Sequence, residues 1–311
     1  MLPEWLRDKQ FVFIIGAPRS GTTWLYKVIL SHPDTVALGN EVSLFNNYIA
    51  PLSNNFDKEL EHNKLKNIKY GLPHVWNKGQ FDEFIFSFIE NFYSSLKEKP
   101  DSKLILEKNP LNSRYVDLIH YYIPNAKFIH IIRDGRDVAF SWNKIFFWNA
   151  DFAAACKNWV DAKNAAKKAK QFTGNYYELH YEDLVLHPIT QLSAIFKFCN
   201  INASEELINS IVAETTGEKS MVSNPDSNTS YSDRVSKTPL WKKRLSKMQI
   251  HIATKILGKD LIEEGYEKDT KWGLGPIENK FYSIRISAIE FSSKVKRNIK
   301  TFIKSLLYKT A

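Results

Sequence analysis

The chain has 311 residues, of which 43% are hydrophobic and 25% charged, a composition that excludes wholesale disorder and predicts one large α/β domain or two smaller ones. Its net charge of +9 is concentrated at the end, because the segment 280–311 holds eight basic residues and one acidic residue. The preceding residues are nearly balanced in charge, which disfavours a body that binds nucleic acid or other polyanions.

Short apolar runs alternate with helix-forming segments along most of the chain. The continuous run Phe11–Ile15 predicts a buried parallel strand, closed by a glycine and a proline. Further strands are predicted at 104–106, 127–132 and 176–180, and helices at 22–30, 113–122, 138–147 and 152–171. This alternation predicts a three-layer, P-loop-like α/β fold with a central parallel sheet flanked by helices.

The segment 40–79 differs in composition from the rest, with asparagines scattered among aromatic residues and prolines. We interpret it as a long insertion over the edge of the sheet that shapes a substrate pocket. An inert surface excursion is the alternative on composition alone.

The strongest functional signal is the segment Gly16–Trp24, with sequence GAPRSGTTW, between a predicted strand and a predicted helix. Its glycines allow backbone N–H groups to approach an oxyanion, and the helix N-terminus adds partial positive charge. A Walker A loop has lysine at the position of Thr22, whereas here the cation is Arg19. The segment therefore predicts a phosphate-binding loop and disfavours a nucleoside triphosphatase.

A second signal is the segment Arg133–Ser141, with sequence RDGRDVAFS, at the end of the predicted strand 127–132. The carboxyl ends of parallel strands line the ligand crevice of such a sheet. Arg133 leaves the strand there, and Ser141 lies about two helical turns further on, so both can face the same spot. An arginine and a hydroxyl that converge in this way suit a second phosphate group.

The last part of the chain predicts a separate element. The sequence divides into a domain at 1–275 and a basic amphipathic helix at 276–311, whose apolar positions recur at helical spacing opposite a basic face. Such a helix contacts an anionic membrane surface through residues 281–309, packs on the body, or contacts a second subunit.

Together the two phosphate signals resemble the sulfotransferase superfamily, whose sulfuryl donor is 3′-phosphoadenosine 5′-phosphosulfate (PAPS). PRSGTTW is similar to the family's 5′-phosphosulfate loop, and RDGRDVAFS to its 3′-phosphate motif. The resemblance extends over about residues 8–270. The segments SHPD at 31–34, GNE at 39–41, EKNP at 107–110 and HYEDLVLHP at 180–188 place it closest to the tyrosylprotein and glycan-type branch.

The resemblance implies that PAPS is the sulfuryl donor and that no metal is required. It also implies roles for individual residues. It implies that Glu41 is the general base, that Arg19 stabilises the leaving group, and that Lys108 neutralises the sulfuryl group. The donor-binding residues that it implies are Arg19, Ser20, Gly21, Thr22, Thr23, Trp24, Arg133, Ser141, Tyr181 and Lys237.

The implied function is transfer of a sulfuryl group to a hydroxyl or amine of a glycan, peptide or lipid acceptor. The small-molecule branch has a lysine in the first loop and a histidine base, and Arg19 with Glu41 departs from that pattern. A phosphoryl-transfer P-loop enzyme and a non-catalytic nucleotide-binding module are the alternatives. A carboxylate such as Glu41 beside an anionic donor favours an enzyme over a binding module.

Two features predict where the protein acts. The only cysteines, Cys156 and Cys199, form no disulfide framework, and the first ten residues carry charges that do not suit a leader or anchor. We therefore expect a cytoplasmic enzyme, peripheral to a membrane if the tail contacts lipid.

Overall fold

A central parallel sheet organises the chain in the computed structural model, which describes residues 1–39, 41–99, 101–143, 151–216 and 239–285. The sheet has the strand order β2-β3-β1-β4-β5, and every neighbouring pair is parallel. Its strands are β1 (Gln10–Ile15), β2 (Thr35–Val36), β3 (Leu104–Lys108), β4 (Lys127–Ile132) and β5 (Tyr176–His180). The predicted α/β class is confirmed, and only the two-residue β2 escaped prediction because it is too short to show a pattern.

Helices cover both faces of this sheet. The α-helices are α1 (Glu4–Arg7), α2 (Thr22–Leu30), α3 (Ala50–Lys66), α4 (Leu72–Val75), α5 (Lys78–Tyr93), α6 (Val116–Tyr122), α7 (Gly135–Asn143), α8 (Phe152–Lys167), α9 (Tyr181–Leu186), α10 (Pro188–Phe198), α11 (Glu205–Thr216), α12 (Trp241–Arg244) and α13 (Lys247–Glu263). Tighter 3₁₀ turns lie at Ser94–Glu98, Pro110–Tyr115, Lys168–Gln171 and Thr270–Trp272, and a π-helical segment at Leu44–Ile49.

The unbroken apolar run of β1 has a direct structural cause. Alternate side chains of a strand point to opposite faces. Phe11 and Phe13 therefore enter one core, whereas Val12 and Ile14 enter the other. Since helices cover both faces, neither set of side chains contacts solvent, and the strand is apolar from Phe11 to Ile15.

The segment 40–79 corrects one prediction. Beyond Asn40, which lies outside the described residues, it forms the π-helical segment, α3, α4 and the start of α5. Phe45 packs edge-on against Phe13 of β1, the central strand, at 5.9 Å between ring centroids. The segment is therefore part of one helical layer and not an insertion over the sheet edge. Leu44, Phe45, Ile49 and Phe56 are buried in the core and outweigh its asparagines.

Three predicted helices differ from the structure at their ends. Residues 113–115 and 168–171 are 3₁₀ turns where α-helix was predicted, and the helix predicted at 138–147 begins at Gly135 and is described only to Asn143. Lys237 and residues 286–311 of the predicted tail helix lie outside the described residues, while residues 276–285 are helical. In the described ranges, no helix combines the length and hydropathy that crossing a bilayer requires.

Candidate active site

The loop between β1 and α2 has an unusual backbone. Gly16, Arg19 and Gly21 all have positive φ, of 138°, 74° and 99°. A Cβ on Gly21 would lie 2.5 Å from the ring of Tyr181, so that only glycine fits there. Ser113 fixes the start of the loop, since its Oγ accepts from the Gly16 N–H at 2.9 Å.

The loop delivers the N-terminus of α2 as an anion-binding element. Its N-cap is Gly21, so no side chain caps the N–H groups of the first turn. Those groups and the helix dipole favour a negatively charged ligand. Ser20 is fully buried, and its Oγ has no hydrogen-bond partner within the described ranges. This uncapped helix end fits a phosphate or sulfate.

The two predicted phosphate-binding segments meet in the structure. The Nε atom of Arg19 donates to the Oγ of Ser141 at 3.1 Å. Arg133, at the end of β4, donates to the carbonyl oxygen of Arg19 at 3.4 Å. The backbone of Arg133 is in turn held by Trp159, whose indole N–H donates to its carbonyl at 3.0 Å. Two guanidinium groups from distant parts of the sequence thus lie at one end of the sheet.

Two aromatic side chains lie beside these cations. The guanidinium carbon of Arg133 is 4.5 Å from the centroid of the Tyr181 ring. Trp24 contacts the same ring edge-on, with centroids 6.1 Å apart, and is only partly buried. The predicted nucleotide-binding residues Trp24 and Tyr181 are therefore neighbours, in a position that suits an aromatic base next to a phosphate.

The second arginine of the segment 133–141 has a structural role. Arg136 is buried, forms a bidentate ion pair with Asp134, and pairs with Glu267. Its guanidinium lies 3.9 Å from the ring of Trp241 and 4.4 Å from that of Trp272. Arg136 therefore connects the turn after β4 to the C-terminal helices, which fixes the direction in which Arg133 leaves the strand.

Lys108 joins the loop to the predicted base. It ends β3, its side chain is fully buried, and its ammonium donates to the Oγ1 of Thr23 at 3.1 Å. The same ammonium lies 2.5 Å from Oε1 of Glu41, whose side chain is 54% exposed. The buried partner of this ion pair, Lys108, lies at the phosphate loop. The exposed partner, Glu41, is accessible from solvent.

Residues on both sides hold Glu41 in place, and the sequence did not reveal them. Tyr26 of α2 donates its hydroxyl to the carbonyl of Gly39 at 2.6 Å. On the other side, the Asn109 amide donates to the Oγ of Ser43 at 3.0 Å. Asn109 directly follows Lys108, and this adjacency was the one available signal.

The structure thus brings together all the described site residues that the sequence predicted, from Arg19 through Trp24, with Glu41, Lys108, Arg133, Ser141 and Tyr181. Lys237 lies outside the described residues. Within the described part of the chain, no cluster of three or more metal-binding side chains occurs. The chemistry that the arrangement offers is anion binding with a carboxylate at its rim.

A buried carboxyl lies behind this site, on the opposite face of β3 from Lys108. Tyr93 donates its hydroxyl to Glu107, and burial raises the pKa of Glu107 to about 7, although that hydrogen bond opposes the rise. A raised folded-state pKa means that this group stabilises the fold below its unfolded pKa of 4.5. That contribution is lost as pH rises through about 7.

We expect Glu107→Gln to remove this pH dependence. Wild type should lose about 2–3 kcal/mol of unfolding free energy between about pH 5 and about pH 8 through ionisation of Glu107, and the variant should not. The difference, variant minus wild type, should therefore increase by that amount over this range. Urea unfolding at both pH values measures it, and Glu98→Gln at an exposed position is the control. A difference between Glu107→Gln and wild type that stays constant over this range would contradict an ionisable, buried Glu107.

Comparison with known proteins places this geometry in context. An uncharacterized protein of Aquifex aeolicus is 28% identical over 62% of this chain, which spans 26% of that relative. Protein-tyrosine sulfotransferase A of Caenorhabditis elegans is 27% identical over 65% of this chain and 53% of the relative. This chain therefore spans about half, or less, of the length of these curated relatives. The solved sulfotransferase domain of the Synechococcus PCC 7002 olefin synthase shares 18% identity, over 82% of this chain and 97% of that domain, with a TM-score of 0.49.

The family model covers the site directly. Residues 11–205 match the model described as the sulfotransferase family. The match includes β1 with its loop, the Glu41 segment, Lys108 and the turn after β4, and it spans more than half of the 311 residues. The chain therefore belongs to the sulfotransferase family.

Proposed function

We propose that this protein is an enzyme that transfers a sulfuryl group from PAPS to a hydroxyl or amine of a glycan, peptide or lipid acceptor. The observation that carries the proposal is the contact of Lys108 with both Thr23 of the phosphate loop and Glu41. A binding module needs the cation and the loop but gains nothing from a carboxylate at the rim. A transferase needs all three.

Two adjoining groups of residues suit the two ends of the donor. The uncapped start of α2 and Arg19 suit the 5′-phosphosulfate, while Arg133 and Ser141 suit the 3′-phosphate. The neighbouring rings of Trp24 and Tyr181 suit contact with the adenine of the donor. In this assignment no lysine stands at the position that contacts the terminal phosphates of ATP, because that position is Thr22.

The proposed reaction is a direct in-line transfer. The acceptor oxygen or nitrogen attacks sulfur, the bond from sulfur to the 5′-phosphate oxygen breaks, and 3′-phosphoadenosine 5′-phosphate leaves. Glu41 takes the proton of the acceptor. Lys108 stabilises negative charge on the sulfuryl group, and Arg19 stabilises it on the departing phosphate oxygen.

Radiolabelled transfer tests the proposal most directly. We expect label from [³⁵S]PAPS to appear on one acceptor class in a panel of glycans, lipids and peptides. Peptides with a tyrosine are tested first, since several relatives are protein-tyrosine sulfotransferases by name. Label transferred from γ-labelled ATP with magnesium, and none from PAPS, would instead support the phosphoryl-transfer alternative.

Arg133 provides a prediction about donor recognition. We expect Arg133→Ala to weaken binding of 3′-phosphoadenosine 5′-phosphate by about 1.5–3 kcal/mol, the contribution of a hydrogen bond to a charged group. Binding of adenosine 5′-phosphate, which lacks the 3′-phosphate, should change much less. Calorimetry measures both affinities, with Arg114→Ala at an exposed position as control. Equal losses for the two nucleotides would remove Arg133 from the 3′-phosphate site.

The cytoplasmic location, the domain boundary at 275 and the membrane or subunit contact of residues 281–309 stay predictions from the sequence. A chain that ends near residue 275 tests the boundary, since we expect it to stay folded and to bind 3′-phosphoadenosine 5′-phosphate.

A further inference from the structure

The end of the helical hairpin formed by α3, α4 and the start of α5 is an exposed apolar surface. We call residues 62–78 the hairpin tip. Four large apolar side chains in the tip are exposed: Leu65 by 76%, Val75 by 70%, Tyr70 by 59% and Ile68 by 44%. Every residue of 64–71 is exposed. Single exposed apolar residues are ordinary, but four within eleven positions are typical of an interaction site.

The turn that presents these side chains is well defined by its own hydrogen bonds. The Asn63 side chain donates to the Tyr70 carbonyl at 2.7 Å and accepts from the Tyr70 N–H at 3.1 Å. Glu59 accepts from the N–H of Leu72 at 2.9 Å. These bonds hold the chain back against the last turns of α3. The apolar side chains are therefore held in solvent by the backbone instead of collapsing onto the body.

The charge of the tip is uniform. Residues 62–78 include four lysines and no aspartate or glutamate. Three of them, Lys64, Lys66 and Lys69, are exposed and form no ion pair within the described ranges. The fourth, Lys78, pairs with Asp82. Glu59, which accepts from Leu72, and the exposed Glu61 adjoin the tip and offset only part of this charge. A net positive charge next to exposed apolar side chains favours a surface that is anionic as well as apolar.

We propose that the hairpin tip docks the protein on an anionic lipid surface, with Leu65, Ile68 and Val75 in the acyl boundary and the lysines at the headgroups. Since every residue of 64–71 is exposed, the tip suits a deformable bilayer that can surround these side chains. A second copy of the chain would bring like charges together. Tyr70 and the partly buried Trp76 are the residue types that favour the membrane interface.

The tip is separate from the site. The helix α3 has 17 residues, so its two ends lie about 25 Å apart, with the π-helical segment that follows Glu41 at one end and the tip at the other. Docking by the tip is therefore compatible with an open rim of the site. The proposal requires no part of residues 286–311 and does not depend on the proposed sulfuryl transfer.

A fluorescent label on the tip tests the proposal in the full chain. Cys156 and Cys199 are buried, so an introduced surface cysteine is labelled selectively. An environment-sensitive dye on Leu65→Cys should shift to the blue and resist iodide quenching when phosphatidylcholine–phosphatidylserine vesicles are added. The same dye on Ile189→Cys, an exposed position of α10, should not respond.

Charge variants separate the tip from other basic surfaces. Each lysine near an anionic membrane strengthens binding about fivefold. In the K64Q/K66Q/K69Q variant, the lipid concentration that gives half of the full response of the Leu65→Cys label should therefore rise about a hundredfold. The matched variant K255Q/K259Q/K268Q removes the same charge from exposed positions elsewhere and should leave it nearly unchanged. Circular dichroism checks that each variant is folded.

Three results would overturn the proposal. The first is a chain that sediments with vesicles while the Leu65→Cys label stays accessible to iodide, which would assign binding to another surface such as the tail. The second is no binding to phosphatidylserine vesicles at all. The third is a label that responds to polyglutamate but not to vesicles, which would assign the tip to an acidic protein.

Discussion

Glu41→Gln is expected to lower the turnover rate for sulfuryl transfer by about 10²–10⁴-fold, the usual contribution of acid–base catalysis. Glutamine preserves the shape of the side chain and its contact with Lys108 but cannot accept the proton of the acceptor. Tyr26 and Asn109 hold the segment on either side of Glu41, so the substitution should not displace the backbone. Steady-state kinetics with PAPS and the labelled acceptor measure the effect.

Two controls show whether the loss of turnover in Glu41→Gln is specific to proton transfer: nucleotide affinity and a second carboxylate variant. Affinity for 3′-phosphoadenosine 5′-phosphate should be nearly unchanged in Glu41→Gln, because the proposed nucleotide contacts involve the loop, Arg133 and Ser141, whereas Glu41 is the exposed partner of Lys108. Glu61→Gln, an exposed carboxylate on α3, should keep wild-type turnover. If Glu41→Gln kept more than about a third of the wild-type rate, the general base would have to be another residue.

Lys108→Met should lower turnover by about 10²–10³-fold, the size of effect seen when one preorganised charge or donor is removed from a transition state. Methionine fills a similar volume at a position that is fully buried, so the packing of β3 against α2 is kept. The product nucleotide lacks the sulfuryl group, so its affinity should change by less than about twofold, in contrast with the loss expected for Arg133→Ala.

A purely structural role for Lys108 predicts a different result. If Lys108 served only to pair with Glu41, then in a Glu41→Gln background the further change Lys108→Met would cost little. We expect instead that the double variant E41Q/K108M is slower than E41Q, because the cation contacts the phosphate loop through Thr23 independently of Glu41. Equal rates for E41Q and E41Q/K108M would reduce Lys108 to a positioning residue for Glu41.

The sequence by itself determined the parallel sheet and the phosphate loop. Both depend on local chemistry: the apolar run 11–15 favours a strand covered on both faces, and the glycines of the loop are required by positive φ at 16 and 21. The pairing of Arg133 and Ser141 with the loop was also predictable, because parallel strands end at the same edge of a sheet.

Only the tertiary structure decided which side chains face one another across that edge. The sequence separates Lys108 from Glu41 by 67 positions and Arg136 from Trp241 by more than 100, and such contacts depend on how helices pack. The segment 40–79 shows the same limit: its composition suggested an excursion over the sheet edge, whereas burial of Phe45 against Phe13 places its first part in the core. Local propensity is outweighed there by the apolar area that the helices remove from water.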